Sequence, residues 1–234
     1  MITSLTNSTI KELMKLKQKK YRTKHYLVEG EHLVEEALKN GVVEQIISTK
    51  EIDHNTLVVS PEVMEKLAFT PSPQSIMAKC KIVVQDFDCT KKKYLLLDRL
   101  QDPGNVGTLV RSALAFGYDQ VILSNQSVDL YNDKVLRSMQ GAHFSIACIY
   151  GSLEEVVGML QHQGVYVVGT ALENGQDIAC IEKHEKMAII MGNEGNGMEL
   201  KLLQQCDAIG YIPIHTIESL NVAIAGGIMM YHYK

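Results

Sequence analysis

The chain has 234 residues, 46% of them hydrophobic and 21% charged, with a formal net charge of −4. That is the balance of an ordinary soluble globular protein, long enough for one large domain or two modest ones, and its overall charge does not announce a nucleic-acid binder. Its five cysteines are scattered, with no C-x-x-C pair, which excludes a disulfide framework or a zinc knuckle and fits a reducing cytoplasm.

Residues 3 to 20 read as an amphipathic helix capped by Asn7 or Ser8, with Ile10, Leu13, Met14 and the stem of Lys17 on one face. The other face is basic: Lys11, Lys15, Lys17, Lys19, Lys20, Arg22 and Lys24 stand against the single acid Glu12. Such a run is either a solvated helix face or a phosphate-contacting patch, and the spacing alone leaves both open. No apolar core follows a basic start at the amino terminus, so no signal peptide is expected. Tyr26 to Val28 reads as a strand broken by Gly30, then Glu31 to Leu38 as a helix closed by Asn40-Gly41. Val42 to Ser48 and Thr56 to Val59 are strand-like, Pro61 to Leu67 is a short helix, Thr70 to Gln74 a turn, and Ile76 to Val84 extends again. The polar stretch Asp86 to Lys93 places a boundary between domains 1–88 and 89–234.

From Tyr94 the pattern alternates. Strands are expected at Tyr94 to Leu97, Gln120 to Leu123, Ile146 to Tyr150, Val165 to Thr170, Met187 to Met191, and from Ala208 to Ile212-Pro213-Ile214. Helices are expected at Val106 to Phe116, Asp133 to Met139, Leu153 to Gln163, Glu199 onward and Leu220 onward. Alternation of this kind, with continuous apolar strands, predicts a parallel sheet covered by helices. The longest mostly apolar run, Val222 to Tyr231, is too short to span a bilayer, which takes about 20 residues.

Three stretches carry the chemistry. In DRLQDPGNVGTLVRSALAFG (Asp98 to Gly117), Asn105 reads as a helix cap or a site residue. Arg111 reads as a surface arginine or, near a helix start, as a phosphate ligand. In GNEGNG (Gly192 to Gly197) the glycine order is neither the dinucleotide fingerprint nor a P-loop. Glycines there permit close backbone approach to a flat ligand or positive φ, and Glu194 is either a cap for the helix at Glu199 or a functional acid. After Ile212-Pro213-Ile214, a polar loop with Glu218, Ser219, Leu220 and Asn221 leads into a small-residue helix. Ser219 is open to reading as that helix's cap, and the small residues as a close-packing surface, a symmetry mate being one partner for it. In an open α/β sheet, ligands bind beyond the carboxyl ends of strands, which is where these loops fall. The eight histidines show no metal spacing, and there is no nucleophile elbow.

Taken together and in order, DPGNVGTLVRSALAFG, IIMGNEGNGM and YIPIHTIESLNVAIAGGIMMY resemble the three motifs of the SpoU (TrmH-type) branch of the SPOUT methyltransferases, over the carboxy-terminal ~140 residues. Lys20 to Gly30 is similar to the R-x-x-x-x-F-L-V-E-G stretch of the substrate-binding domain that often precedes the catalytic one, a domain resembling ribosomal proteins that grip RNA turns. Pro73-Gln74-Ser75 departs from the family's usual Pro-Gln-Gly.

The resemblance implies an α/β protein: a small α/β RNA-binding domain followed by a parallel-sheet SPOUT domain with a deep trefoil knot. It implies an S-adenosylmethionine-dependent RNA 2′-O-ribose methyltransferase acting as a homodimer, with active sites at the interface, in the cytoplasm, without metal or membrane. Carried over residue by residue, the catalytic set is Asn105, Arg111, Glu194, Ser219 and Asn221. The cofactor set is Thr170, Gly192, Asn193, Gly197, Ile212 and Leu220. The RNA-contact set is Lys15, Lys17, Lys19, Lys20, Arg22 and Lys24. The accessory domain favours ribosomal over transfer RNA. The competing expectations are a tRNA 2′-O-methyltransferase, a non-catalytic RNA-binding or ribosome-assembly protein that kept the fold, and an ordinary dinucleotide-binding dehydrogenase, which the missing fingerprint disfavours.

Overall fold

The computed structural model describes residues 1–216 and 219–234. In chain order its elements are α1 (Ser8–Lys15), β1 (His25–Glu29), α2 (Glu31–Lys39), β2 (Val43–Ser48), β3 (Thr56–Val58), α3 (Pro61–Leu67) and β4 (Ile76–Lys81). There follow β5 (Lys93–Leu97), α4 (Pro103–Ala115), β6 (Gln120–Ser124), α5 (Asp133–Met139), β7 (Ala147–Gly151), α6 (Leu153–His162) and β8 (Tyr166–Thr170). The chain closes with β9 (Gln176–Asp177), β10 (Met187–Met191), α7 (Leu200–Leu203), β11 (Ala208–Tyr211) and α8 (Val222–His232). It divides into two compact units, Met1–Val84 with Asp129–Phe144, and Gln85–Val128 with Ser145–Lys234.

The first unit holds a four-stranded sheet in the order β1-β4-β2-β3, in which β4 runs antiparallel to both neighbours and β2 parallel to β3. Its core gathers Ile10 and Leu13 of α1, Leu27 of β1, Ile47 of β2, Val63 of α3 and Met77 of β4. Helix α1 is shorter than the amphipathic pattern predicts: Asn7 caps it, its side chain accepting from the amides of Thr9 and Ile10, and it stops at Lys15. The chain then makes a 3₁₀ turn over Lys19–Tyr21. Glu29, 7% exposed, is a buried carboxylate that costs free energy unless fully bonded. It accepts from the Phe69 amide (2.7 Å), the Thr70 hydroxyl (2.6 Å) and the Gln74 amide (3.3 Å), and so fixes the turn in which the Pro-Gln-Ser departure lies. The segment Asp129–Phe144, which carries α5, belongs to this unit although it lies between β6 and β7 in sequence. Asp129 pairs with Arg22, whose guanidinium also donates to the Leu16 carbonyl, and Tyr131 lies 4.6 Å from Tyr26, ring to ring.

The second unit is a seven-stranded sheet in the order β7-β6-β5-β10-β8-β11-β9, parallel at every pairing. Strands buried on both faces must be apolar throughout, and β10, Met-Ala-Ile-Ile-Met, is buried at every position. The sheet packs through Leu96, Ile122 and Ile190 against Val157 and Leu160 of α6. On α8, the backbone at Gly226 comes so near α4 that an added Cβ would lie 2.3 Å from Leu109 Cδ2, whereas one at Gly227 would meet nothing within 4 Å. The glycine that lets α8 pack closely therefore serves a helix of the same chain. No helix among the described residues is long and apolar enough to cross a membrane.

Candidate active site

Sheet register determines which loops meet. Leu97 of β5 pairs with Met191 of β10, and the Asp98 amide continues the ladder to the Met191 carbonyl at 2.9 Å, so the first and second motifs leave the sheet side by side. Strands β10, β8 and β11 are consecutive neighbours. Thr170 ends β8, Gly192 follows β10 and Ile212 follows β11. At about 4.8 Å between strands, these three positions span about 10 Å along the carboxyl edge.

The helix after β5 begins at Pro103, three residues before the sequence pattern suggests, and its cap is Asp102, whose carboxylate accepts from the Asn105 amide at 2.8 Å. Asn105 is thus no cap, and its side chain is free for tertiary bonds. Its Nδ2 donates to Glu194 Oε1 at 3.1 Å, and its Oδ1 accepts from Asn221 Nδ2 at 2.9 Å. The same Glu194 carboxylate accepts from the amides of Gln101 (3.4 Å) and Asp102 (3.2 Å). Glu194 therefore does not cap the helix at Glu199. The cap of α8 is Asn221, through the amides of Ala223 and Ile224, and not Ser219, which is exposed. One chain of bonds, Glu194–Asn105–Asn221, ties the three motifs together.

The glycine loop is shaped mainly by its own packing. A Cβ at Gly192 would lie 2.4 Å from the Met198 amide nitrogen and 2.5 Å from the Gly197 carbonyl carbon, so only glycine lets the loop fold back on itself. Asn193 and Gly197 bond each other reciprocally at 3.1 and 2.9 Å, and Gly197 turns the chain at φ 65°. Asn193 Oδ1 accepts from the amides of Gly195 and Asn196, both at 3.0 Å. Thr170 donates its hydroxyl to the Ile190 carbonyl at 2.9 Å, and Ile212 and Leu220 are half-buried.

Arg111 is exposed on α4, and among the described residues it makes no hydrogen bond or ion pair. Glu218, of the third polar loop, lies outside the described residues. Two residues of the site were not singled out from the sequence, Asp98 and Arg99. The sequence carries part of the signal, an acid directly after an apolar strand; its burial, at 3% exposed, is visible only in the fold. Among the described residues, no group of three or more His, Cys, Asp or Glu could hold a metal ion.

In the first unit, Lys15, Lys19, Lys20 and Lys24 are exposed, with the Lys15 and Lys20 ammonium groups 5.9 and 4.9 Å from the exposed Tyr21 ring. Lys17 is turned inward. It donates to the carbonyls of Lys66 (3.1 Å) and Ala68 (2.6 Å) at the end of α3, and burial lowers its pKa. The Arg22 side chain, 6% exposed, is occupied by Asp129 and Leu16.

A wholly parallel sheet whose carboxyl-edge loops converge on one polar cluster defines an α/β protein with a ligand site at its strand ends. Residues 92–231 match the model of the SpoU rRNA methylase family, and residues 7–78 that of the MRM3-like substrate binding domain. The chain belongs to the SpoU rRNA methylase family. It is 41% identical to the 23S rRNA (guanosine(2553)-2′-O)-methyltransferase RlmP of Bacillus subtilis, over 100% of this chain and 98% of the relative. It is 32% identical to the uncharacterized tRNA/rRNA methyltransferase slr1673 of Synechocystis, over 100% and 93%. The crystal structure of an AdoMet-bound rRNA methyltransferase from Sinorhizobium meliloti superposes with a TM-score of 0.88 at 30% identity, covering 99% of this chain and 96% of that one.

Proposed function

We propose that this protein is an RNA 2′-O-ribose methyltransferase that uses S-adenosylmethionine, with ribosomal RNA as its substrate. The observation that carries the proposal is the Glu194–Asn105–Asn221 chain, which gathers all three motifs at the carboxyl edge of a parallel sheet. Relatives that methylate rRNA match this chain from end to end, which supports ribosomal over transfer RNA.

The residues present fit the cofactor. Its flat, neutral base suits a strip of main chain at Thr170, Gly192 and Ile212 flanked by the half-buried apolar side chains of Ile212 and Leu220. Within the Glu194–Asn105–Asn221 chain the one charged group is the Glu194 carboxylate, whose sign suits a sulfonium. When bound, the cofactor supplies an electrophilic methyl group. The chain's part is to place the ribose 2′-oxygen in line with it, and much of the rate enhancement lies in that positioning. With one end of its amide on Glu194 and the other on Asn221, Asn105 is held in a single orientation. A guanidinium presents a fork of N–H donors suited to anionic oxygens, so we assign Arg111 the substrate phosphate and the developing alkoxide. Ser219, exposed one residue before Leu220, lines the same loop.

Four further features belong to this reading. The RNA is held by the exposed lysines Lys15, Lys19, Lys20 and Lys24, with Tyr21 as a ring for a base to stack on. Family membership supports a trefoil knot near the carboxy terminus. The homodimer is supported by Ile224, Ile228 and Tyr231, a stripe on α8 that is 57, 40 and 58% exposed. Similarity to a bacterial rRNA-modifying enzyme supports a cytoplasmic location. Calorimetry tests the cofactor assignment: the protein should bind S-adenosylhomocysteine and not NAD, and the reverse would reject the assignment.

A further inference from the structure

Asp98 and Arg99 lie at the site, yet the methyl-transfer reading gives them no task. Asp98 is 3% exposed, and a carboxylate so placed must be paired and fully bonded to be tolerated. Arg99 supplies the pair in a fork, Nε to Oδ1 and Nη2 to Oδ2, both at 3.1 Å. The second carboxylate oxygen also accepts from the Glu199 amide at 2.9 Å. Arg99 itself adopts φ 54°, a conformation that side chains with a Cβ avoid and that persists only where neighbours over-determine it.

Those neighbours are largely one loop. The Arg99 carbonyl accepts from Asn193 Nδ2 at 2.8 Å, and its guanidinium donates to the Gly197 carbonyl at 3.2 Å. Its amide is fixed by the Ser124 hydroxyl at 2.8 Å. Asn193, Gly197 and Glu199 are thus all seated on one dipeptide. The loop between them is already closed on itself by the bonds of Asn193, so it moves as a unit. From its tip, Glu194 reaches back to Gln101, Asp102 and Asn105. A shift of the seat would therefore turn Glu194 away from Asn105.

We propose that Asp98 and Arg99 are positioning residues for methyl transfer, seating the 192–199 loop so that Glu194 orients Asn105. This rests on the methyltransferase reading, and the test separates the two. The double variant Asp98→Asn/Arg99→Gly leaves no orphaned buried charge and gives a residue at ease with positive φ. Its melting temperature should stay close to that of the parent. Hydrogen exchange of the 192–199 backbone in the ligand-free protein should quicken about tenfold, and kcat/KM for the methyl donor should fall by about tenfold or more, the scale of losing charge-assisted bonds. Parent-like exchange and parent-like turnover in a folded double variant would overturn the proposal. Should the double variant unfold, Arg99→Lys keeps a charge beside Asp98 but loses the fork that reaches Gly197. Faster loop exchange with an unchanged melting temperature supports the proposal, and parent-like exchange overturns it. A parent protein that binds no S-adenosylhomocysteine would fail the methyltransferase reading, while loop exchange would still decide the seating role.

Discussion

Asn105 shows how one side chain joins parts of a chain that are far apart in sequence. Its partners Glu194 and Asn221 lie 89 and 116 positions away, and each sees a different end of the same amide. Arg111, on the same helix, is exposed and without a bond among the described residues, as the role proposed for it requires. Arg111→Ala should abolish turnover while leaving the affinity for S-adenosylhomocysteine nearly intact. Loss of that affinity by calorimetry would move Arg111 into the cofactor pocket. His143, in the first unit, tests the core instead. It shares a hydrogen bond of 3.2 Å with the Tyr26 hydroxyl, its Nδ1 has no hydrogen-bond partner among the described residues, and burial lowers its pKa from 6.5 to about 4. A histidine kept neutral in the fold takes up its proton first in the unfolded chain. Its contribution is therefore complete above pH 6.5 and is lost as pH falls through about 4, amounting to about 3 kcal/mol at that point. Denaturant unfolding at pH 7 and pH 4 should show His143→Phe losing that much less stability than the parent; equal losses would contradict the burial account.

At the scale of elements, the amino-terminal basic run shows what a sequence pattern resolves and what it does not. Seven cations between Lys11 and Lys24 announce a surface, but not which of them are spent inside the protein. Lys17 closes the end of α3 through carbonyls 49 and 51 residues away, and Arg22 meets an acid 107 residues away. Partners at such separations leave no local signal. The caps are ambiguous in sequence for the opposite reason. Asp102 and Asn221 are the caps of α4 and α8, while Asn105 and Ser219, equally good cap residues by type, lie only a few positions away. Replacing Lys15, Lys19, Lys20 and Lys24 by Gln should weaken RNA binding and flatten the plot of log affinity against log salt by up to about three units. An unchanged slope, measured by titration over a range of salt, would remove this face from the RNA interface.

At the scale of the molecule, the alternation of apolar strands with helices after Tyr94 was enough to read a parallel, helix-covered sheet, and the strand at Met187 to Met191 was placed to the residue. The order of the strands was not readable, because a parallel strand carries no mark of its neighbours. Nor was the assignment of Asp129–Phe144 to the first unit, which depends on the Arg22–Asp129 pair and the rings around Tyr26. The two-residue strand β9 is too short to leave a periodic signal. The site was legible as three motifs but not as a network, since the bonds that join them cross the whole second unit. Methyl transfer to a ribose hydroxyl of ribosomal RNA is tested by mapping 2′-O-methyl groups in RNA from a strain lacking the protein, beside its parent. A 2′-O-methyl group should disappear from one ribosomal RNA position and return when the wild-type gene is restored. An unchanged ribosomal map, or a loss confined to transfer RNA, would contradict it.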